Sequence, residues 1–125
     1  MYTAIYRLDT HDIQHDLAHL FEHLVLYSFY SHAKEHGFHP ALIGWVSGQT
    51  FTNAIYLDVG FYDPKVLDLF HKYMSSLPEF KDDVLRLNLE LISAEDKVLF
   101  SPISYSKLKQ SLTELKKRQW TDMYL

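Results

Sequence analysis

Residues 16–30 read DLAHLFEHLVLYSFY, and the rest of the 125-residue chain is organised around this stretch. Its apolar residues recur at intervals of three and four, which predicts an amphipathic helix with one face toward a core. On such a helix, residues four positions apart lie one above the other, so His19 and His23 present their imidazoles side by side. Two neutral imidazoles in this arrangement can share one zinc ion.

Glu22 lies three residues after His19 and directly before His23. Its carboxylate can reach a water molecule at such a metal and take its proton, which is the role of a general base. The order His-x-x-Glu-His is the inverzincin arrangement, the reverse of the commoner zincin order. The alternative is a histidine-rich helix face without a metal, because the chain has eight histidines and His11 and His15 continue the four-residue spacing.

Length and composition indicate a single domain over residues 1–125 with a core of its own. Apolar residues make up 47% of the chain, and the net charge is −4 with neutral histidines. Basic residues gather only near the C-terminus, where they alternate with leucines as on a solvated helix face, so we expect no nucleic-acid partner. The absence of cysteine excludes disulfides and thiolate ligands, so any metal must be held by nitrogen and oxygen.

The N-terminal residues lack the basic region and long apolar core of a signal peptide. No apolar run has the length needed to span a bilayer. We therefore expect no membrane contact and a cytoplasmic location.

The pattern along the chain predicts an α+β fold, with a small antiparallel sheet packed with about four helices. Residues 2–8 alternate between apolar and polar types, as a strand does. The first helix is predicted to begin among residues 9–12, which include good N-cap types, and to end near Glu35, ahead of Gly37.

Two β-like runs follow at residues 42–46 and 51–59. The intervening residues 47–49 indicate the turn of a hairpin, or alternatively a bulge in one long, bent strand. Three further helices are predicted. The first runs from Pro64, with Asp63 as its N-cap, to before Pro78, the second from Phe80 to before Pro102, and the third from about Ser104 to about Arg118.

A catalytic zinc site usually has three protein ligands and one open position. Glu90 is the candidate for the third ligand, because it lies among leucines and Ile92 in the third predicted helix. Burying an unpaired carboxylate is expensive, so a buried Glu90 implies a cation or several hydrogen bonds, whereas an exposed Glu90 is ordinary helix surface. Asp83 lies seven residues earlier on the same face and can support the ligands by hydrogen bonds.

Taken together, these residues resemble the M16 family of metallopeptidases, the group of pitrilysin, insulysin and mitochondrial processing peptidase. The resemblance covers roughly residues 14–97 and is strongest in its first feature. Four features occur in the family's order: the motif at 17–24, the strand ending at 56–59, the helix and loop at 67–80, and the acids Asp83 and Glu90.

The resemblance implies an α+β zinc peptidase in which His19, His23 and Glu90 hold the zinc. Glu22 would be the general base, and Asp83 would support the ligands from behind. The reaction would be hydrolysis of a peptide bond in a peptide or a short unfolded segment.

The resemblance also implies where the substrate lies. In the family, an edge strand pairs with the substrate backbone, and the corresponding residues here are Trp45, Val46, Ser47 and Gly48. We expect these residues to take part in binding a peptide by β-augmentation.

Family members join several copies of a larger domain, and this chain corresponds to about half of one copy. We therefore expect a homo-oligomer or a partner subunit that completes the walls of the site. One alternative is a non-catalytic M16-like module that binds peptides or accompanies an active peptidase. Another is a histidine-rich helix that buffers metal, which would bind more than one ion through His11, His15, His32, His36 and His39.

Overall fold

The computed structural model of the chain describes residues 1–96 and 105–124, with the backbone only at 94–96. Its four strands form one antiparallel sheet in the order β2-β3-β1-β4. The predicted α+β class with a small antiparallel sheet and four helices is confirmed. In chain order, the elements are β1 (Tyr2–Asp9), α1 (His15–Glu35), β2 (Ile43–Thr50), β3 (Ala54–Phe61), α2 (Pro64–Ser75), α3 (Asp82–Asp96), α4 (Tyr105–Lys116) and β4 (Thr121–Asp122).

The sheet has one face in the core and one open face, because side chains alternate along each strand. On β3, Ile55 and Leu57 are fully buried, whereas Asp58 between Leu57 and Val59 is exposed. The apolar stripe of α1 packs into the same core, and burying each such side chain contributes about 1.5–3 kcal/mol. Its fully buried members are Leu20, Phe21, Leu24, Val25 and Phe29.

The first helix begins at His15, later than predicted, so His11 is not part of it. The reason lies in the turn before α1, where Asp9 accepts hydrogen bonds from the backbone N and the ring Nδ1 of His11 at 3.1 and 2.8 Å. Asp12 pairs with Arg118. Polar side chains that bond to nearby backbone favour a turn over a helix. Only His15 therefore continues the four-residue spacing of His19 and His23 on the helix.

The hairpin of β2 and β3 is confirmed, but the predicted turn at residues 47–49 is wrong. These residues lie inside β2, and the loop consists of residues 51–53. It is closed by a hydrogen bond of 2.8 Å from the backbone N of Phe51 to the carbonyl of Ala54. Gly48, which was part of the predicted turn, instead serves a close approach of β2 to α1.

The sequence also predicted the end of α1 and the beginning of α2 correctly. The helix α1 ends at Glu35, and Gly37 follows with φ 83°, which glycine adopts without strain. The helix α2 begins at Pro64, and the Asp63 side chain accepts a hydrogen bond of 2.8 Å from the backbone N of Lys65. This is the N-cap that the sequence predicted.

The strand β4 was not predicted. It has two residues and pairs with Tyr6 and Arg7 of β1. The predicted boundaries at Pro102 and Ser104 lie outside the described residues. Among the residues that are described, no helix combines the length and the apolar character needed to cross a membrane.

Candidate metal centre

His19, Glu22 and His23 lie together on the part of α1 that approaches β2. One ligand atom of each, a ring nitrogen or a carboxylate oxygen, lies within 4.8 Å of the other two. The two imidazole rings have centroids 4.8 Å apart and planes at 75°. Helical geometry therefore brings the three donors together as the spacing predicts. In residues 1–93 and 105–124, no other group of three such side chains is this close.

Glu22 is the buried member of the group, with 5% of its surface exposed, while His19 and His23 are half-buried. The hydroxyl Oγ1 of Thr50, at the end of β2, donates a hydrogen bond of 2.8 Å to Oε1 of Glu22. Because a buried carboxylate without a partner is costly, this bond stabilises the position of Glu22. Thr50 was not predicted from the sequence. The sequence indicates this residue only through its spacing of two residues from Gly48, which places both residues on the inner face of β2.

Gly48 packs directly against the Glu22 side chain. A β-carbon at this position would lie 2.9 Å from Cγ and 3.0 Å from Cδ of Glu22, and 3.0 Å from Cδ1 of Leu26. These distances are well below the optimal carbon–carbon separation, so a larger residue would displace Glu22 or β2. Glycine at position 48 therefore allows the edge strand to lie against the carboxylate.

The other residues predicted to bind substrate point in different directions. Trp45 donates its Nε1 hydrogen to Oδ1 of Asp58 at 2.9 Å, and Ser47 donates to the carbonyl of Asp58 at 3.3 Å. Both side chains therefore lie on the open face of the sheet, while Val46 packs against the core. A contact of these residues with a peptide stays a prediction. The backbone at the edge of β2 is better placed for such a contact than these side chains are.

The side chain of Glu90 is exposed on α3, which is the second of the two alternatives that the sequence left open for it. The buried residues of this helix are Leu85, Asn88 and Ile92. Glu90 follows Asn88 by two residues, or roughly 200° around a helix, and so points away from the core. The structure does not bring Glu90 into the group on α1, and its assignment as third ligand has no contact to support it.

Asp83 is also exposed and lies outside the group on α1. Its carboxylate accepts a hydrogen bond of 2.9 Å from the backbone N of Val84, in the first turn of α3. It borders a cavity next to His32 rather than the metal centre. Its predicted supporting role is therefore without a supporting contact as well.

The pattern His-x-x-Glu-His occurs a second time at the end of α1, at His32, Glu35 and the C-cap residue His36. This glutamate is exposed, and its Oε1 lies 3.5 Å from Nζ of Lys81. Its donors do not form a close group of three, unlike those around Glu22. The five-residue pattern alone is therefore not sufficient, and the packing of β2 distinguishes the first copy from the second.

The chain was compared with family models, curated proteins and solved structures, and it matches none of them. The resemblance to the M16 family therefore stays a hypothesis that rests on the motif. The site is best judged by its own geometry.

Proposed function

We propose that the chain is a zinc-dependent peptidase whose site lies on α1 beside β2. The observation that carries the proposal is the close group of His19, Glu22 and His23 with its glutamate buried. Imidazole nitrogen is a zinc ligand, so the two histidines of the group fit this metal. When bound, zinc supplies a Lewis acid that polarises the scissile carbonyl and lowers the pKa of water.

Each residue of the group has a separate role in this proposal. His19 and His23 hold the ion through ring nitrogens. Glu22 takes a proton from the attacking water and passes it to the leaving amine. Thr50 keeps the carboxylate of Glu22 oriented through its hydrogen bond.

The edge strand β2 supports a peptide as the substrate. Its eight residues, IGWVSGQT, contain no charge and no proline, and in the described part of the chain its outer edge has no neighbouring strand. An edge without these protective features can pair with an extended peptide through backbone hydrogen bonds. Because Thr50 joins the end of β2 to Glu22, a peptide on this edge passes close to the carboxylate.

The decisive test is Glu22→Gln, assayed on a library of fluorogenic peptides. We expect hydrolysis to fall by about a hundredfold or more, as is usual for loss of a general base, while the bound zinc is retained. Glu35→Gln is the matched control, because it changes the same position of the second His-x-x-Glu-His and should leave hydrolysis unchanged. His19→Ala should lose both zinc and hydrolysis.

A non-catalytic metal-binding or peptide-binding module is the second candidate. It is favoured by the exposed position of Glu90, which leaves the group with only His19, Glu22 and His23. Zinc binding without hydrolysis of any peptide in the library would select this candidate. Full activity of Glu22→Gln would contradict the assigned base.

A further inference from the structure

We propose that His32 and His36 form a second metal-binding pair, for a divalent transition-metal ion that prefers imidazole, such as Cu²⁺, Ni²⁺ or Zn²⁺. The two rings lie one helical turn apart, with centroids separated by 4.4 Å and planes at 41°. This separation is smaller than the 4.8 Å between the rings of His19 and His23. Two imidazoles at this spacing on one helix face can bind the same ion.

The hydrogen bond of His36 prepares its other nitrogen for a metal. Its Nδ1 lies 2.8 Å from the carbonyl oxygen of His32. A carbonyl oxygen only accepts, so Nδ1 carries the hydrogen and Nε2 of the neutral ring keeps its lone pair. Metal-binding histidines are typically oriented in this way, with the nitrogen remote from the metal donating to a carbonyl or carboxylate.

His32 is oriented by aromatic side chains of the core. Its ring centroid lies 5.0 Å from that of Tyr73 and 6.4 Å from that of Phe29. Tyr73 is itself held by a hydrogen bond of 2.6 Å from its hydroxyl to the carbonyl of Val25. These contacts fix the orientation of the His32 ring beside that of His36.

The electrostatic surroundings of His32 attract cations. It borders a cavity of about 200 Å³ that is also lined by Glu35, Glu79, Asp83 and Lys81. Three carboxylates and one ammonium group give this cleft a negative charge, which raises the local concentration of cations. The carboxylates assist binding in this way, and the two imidazoles are the ligands.

The second pair is independent of the proposed peptidase site. His32 follows His19 by 13 residues (32 minus 19). A helix rises about 1.5 Å and turns roughly 100° per residue, so the pairs lie about 20 Å apart and point in nearly opposite directions. The first pair lies near β2, and the second lies beside Tyr73 of α2. The chain can therefore bind two ions at once.

Calorimetric titration of the full chain with Zn²⁺ tests the proposal. We expect two binding events, and His36→Gln should abolish one of them while the helix content measured by circular dichroism is unchanged. His39→Gln is the matched control, because this exposed histidine uses its Nδ1 to accept a hydrogen bond from the backbone N of Ala41 and has no such ring pair. It should leave both events in place.

Paramagnetic broadening by substoichiometric Cu²⁺ gives a second readout, since the amide signals of residues 32–36 should broaden in wild type but not in His36→Gln. Equal stoichiometry and affinity in wild type and His36→Gln would overturn the proposal. If His19→Gln binds zinc as wild type does while His36→Gln loses one binding event, the proposed peptidase site is wrong and the second metal-binding pair is supported.

Discussion

Among single residues, the two glutamates of the repeated pattern in α1 show how neighbouring residues set the environment of a carboxylate. Glu22 is covered by β2 and hydrogen-bonded to Thr50, whereas Glu35 is exposed near Lys81. The hydrogen bond from Thr50 fixes the orientation of the Glu22 carboxylate, and a general base must be oriented toward the proton that it takes. The same His-x-x-Glu-His pattern therefore places its glutamate in two different environments.

Thr50→Val tests the bond that holds Glu22. Valine keeps the shape of threonine but removes the hydroxyl donor, so the buried carboxylate loses its partner. We expect a loss of about 1–3 kcal/mol in the free energy of unfolding, measured by urea titration, and a fall in peptide hydrolysis.

Thr52→Val is the matched control for this prediction, since Thr52 is exposed in the hairpin loop. It should change the free energy of unfolding by less than about 0.5 kcal/mol, as is usual for a surface substitution. If Thr50→Val is as stable and as active as this control, the hydrogen bond to Glu22 has no role.

At the scale of elements, an ion pair joins the turn before α1 to the residues after α4. Arg118 donates two hydrogen bonds to the carboxylate of Asp12, at 2.8 and 2.7 Å. The hydrogen bond from Arg118 lowers the pKa of Asp12 from the ordinary 3.8 to about 2. The pair links segments 106 residues apart, and both side chains are partly open to solvent.

The lowered pKa of Asp12 predicts a contribution to acid sensitivity. Because the folded pKa lies below the ordinary value, the pair stabilises the fold above pH 3.8 and loses this contribution as the pH falls toward about 2. Urea titrations from pH 6 down to pH 2 should therefore show a smaller loss of stability for Asp12→Asn than for wild type. Arg118→Gln should have the same effect, and the double variant should add little to it. Equal pH dependence in all of these proteins would contradict the role of the pair.

At the scale of the whole molecule, the two edges of the sheet are unequal. The edge strand β4 has two residues, whereas β2 has eight and carries no charge or proline. Trp45 is 41% exposed on the open face beside this edge. Long, unprotected edges tend to pair with another strand, either from a peptide or from a second copy.

We predict that the chain self-associates through β2 at micromolar concentration. Light scattering should give a mass above the 14.8 kDa of one chain, and Gln49→Lys should return it to that mass, because a charged residue protects an edge strand. An excess of peptide substrate should have the same effect as the substitution, because the peptide and a second copy of the chain would pair with the same edge of β2. A mass of one chain for wild type across the concentration range would contradict this prediction.

Features that depend on nearby residues could be predicted from the sequence alone. The i, i+4 spacing of His19 and His23, the N-cap at Asp63 and the glycine after α1 each act over one turn of chain. Apolar periodicity likewise indicated the order of most strands and helices, and hence the α+β class.

The tertiary structure sets the surroundings of these local features, which the sequence alone does not indicate. It buried Glu22 by packing Gly48 and Thr50 of β2 against it, and it left Glu90 on the exposed side of α3. It also continued β2 through residues 47–49 and added the two-residue strand β4. These outcomes depend on which strand meets which face of a helix, and contacts between residues distant in the chain leave no periodic trace in the sequence.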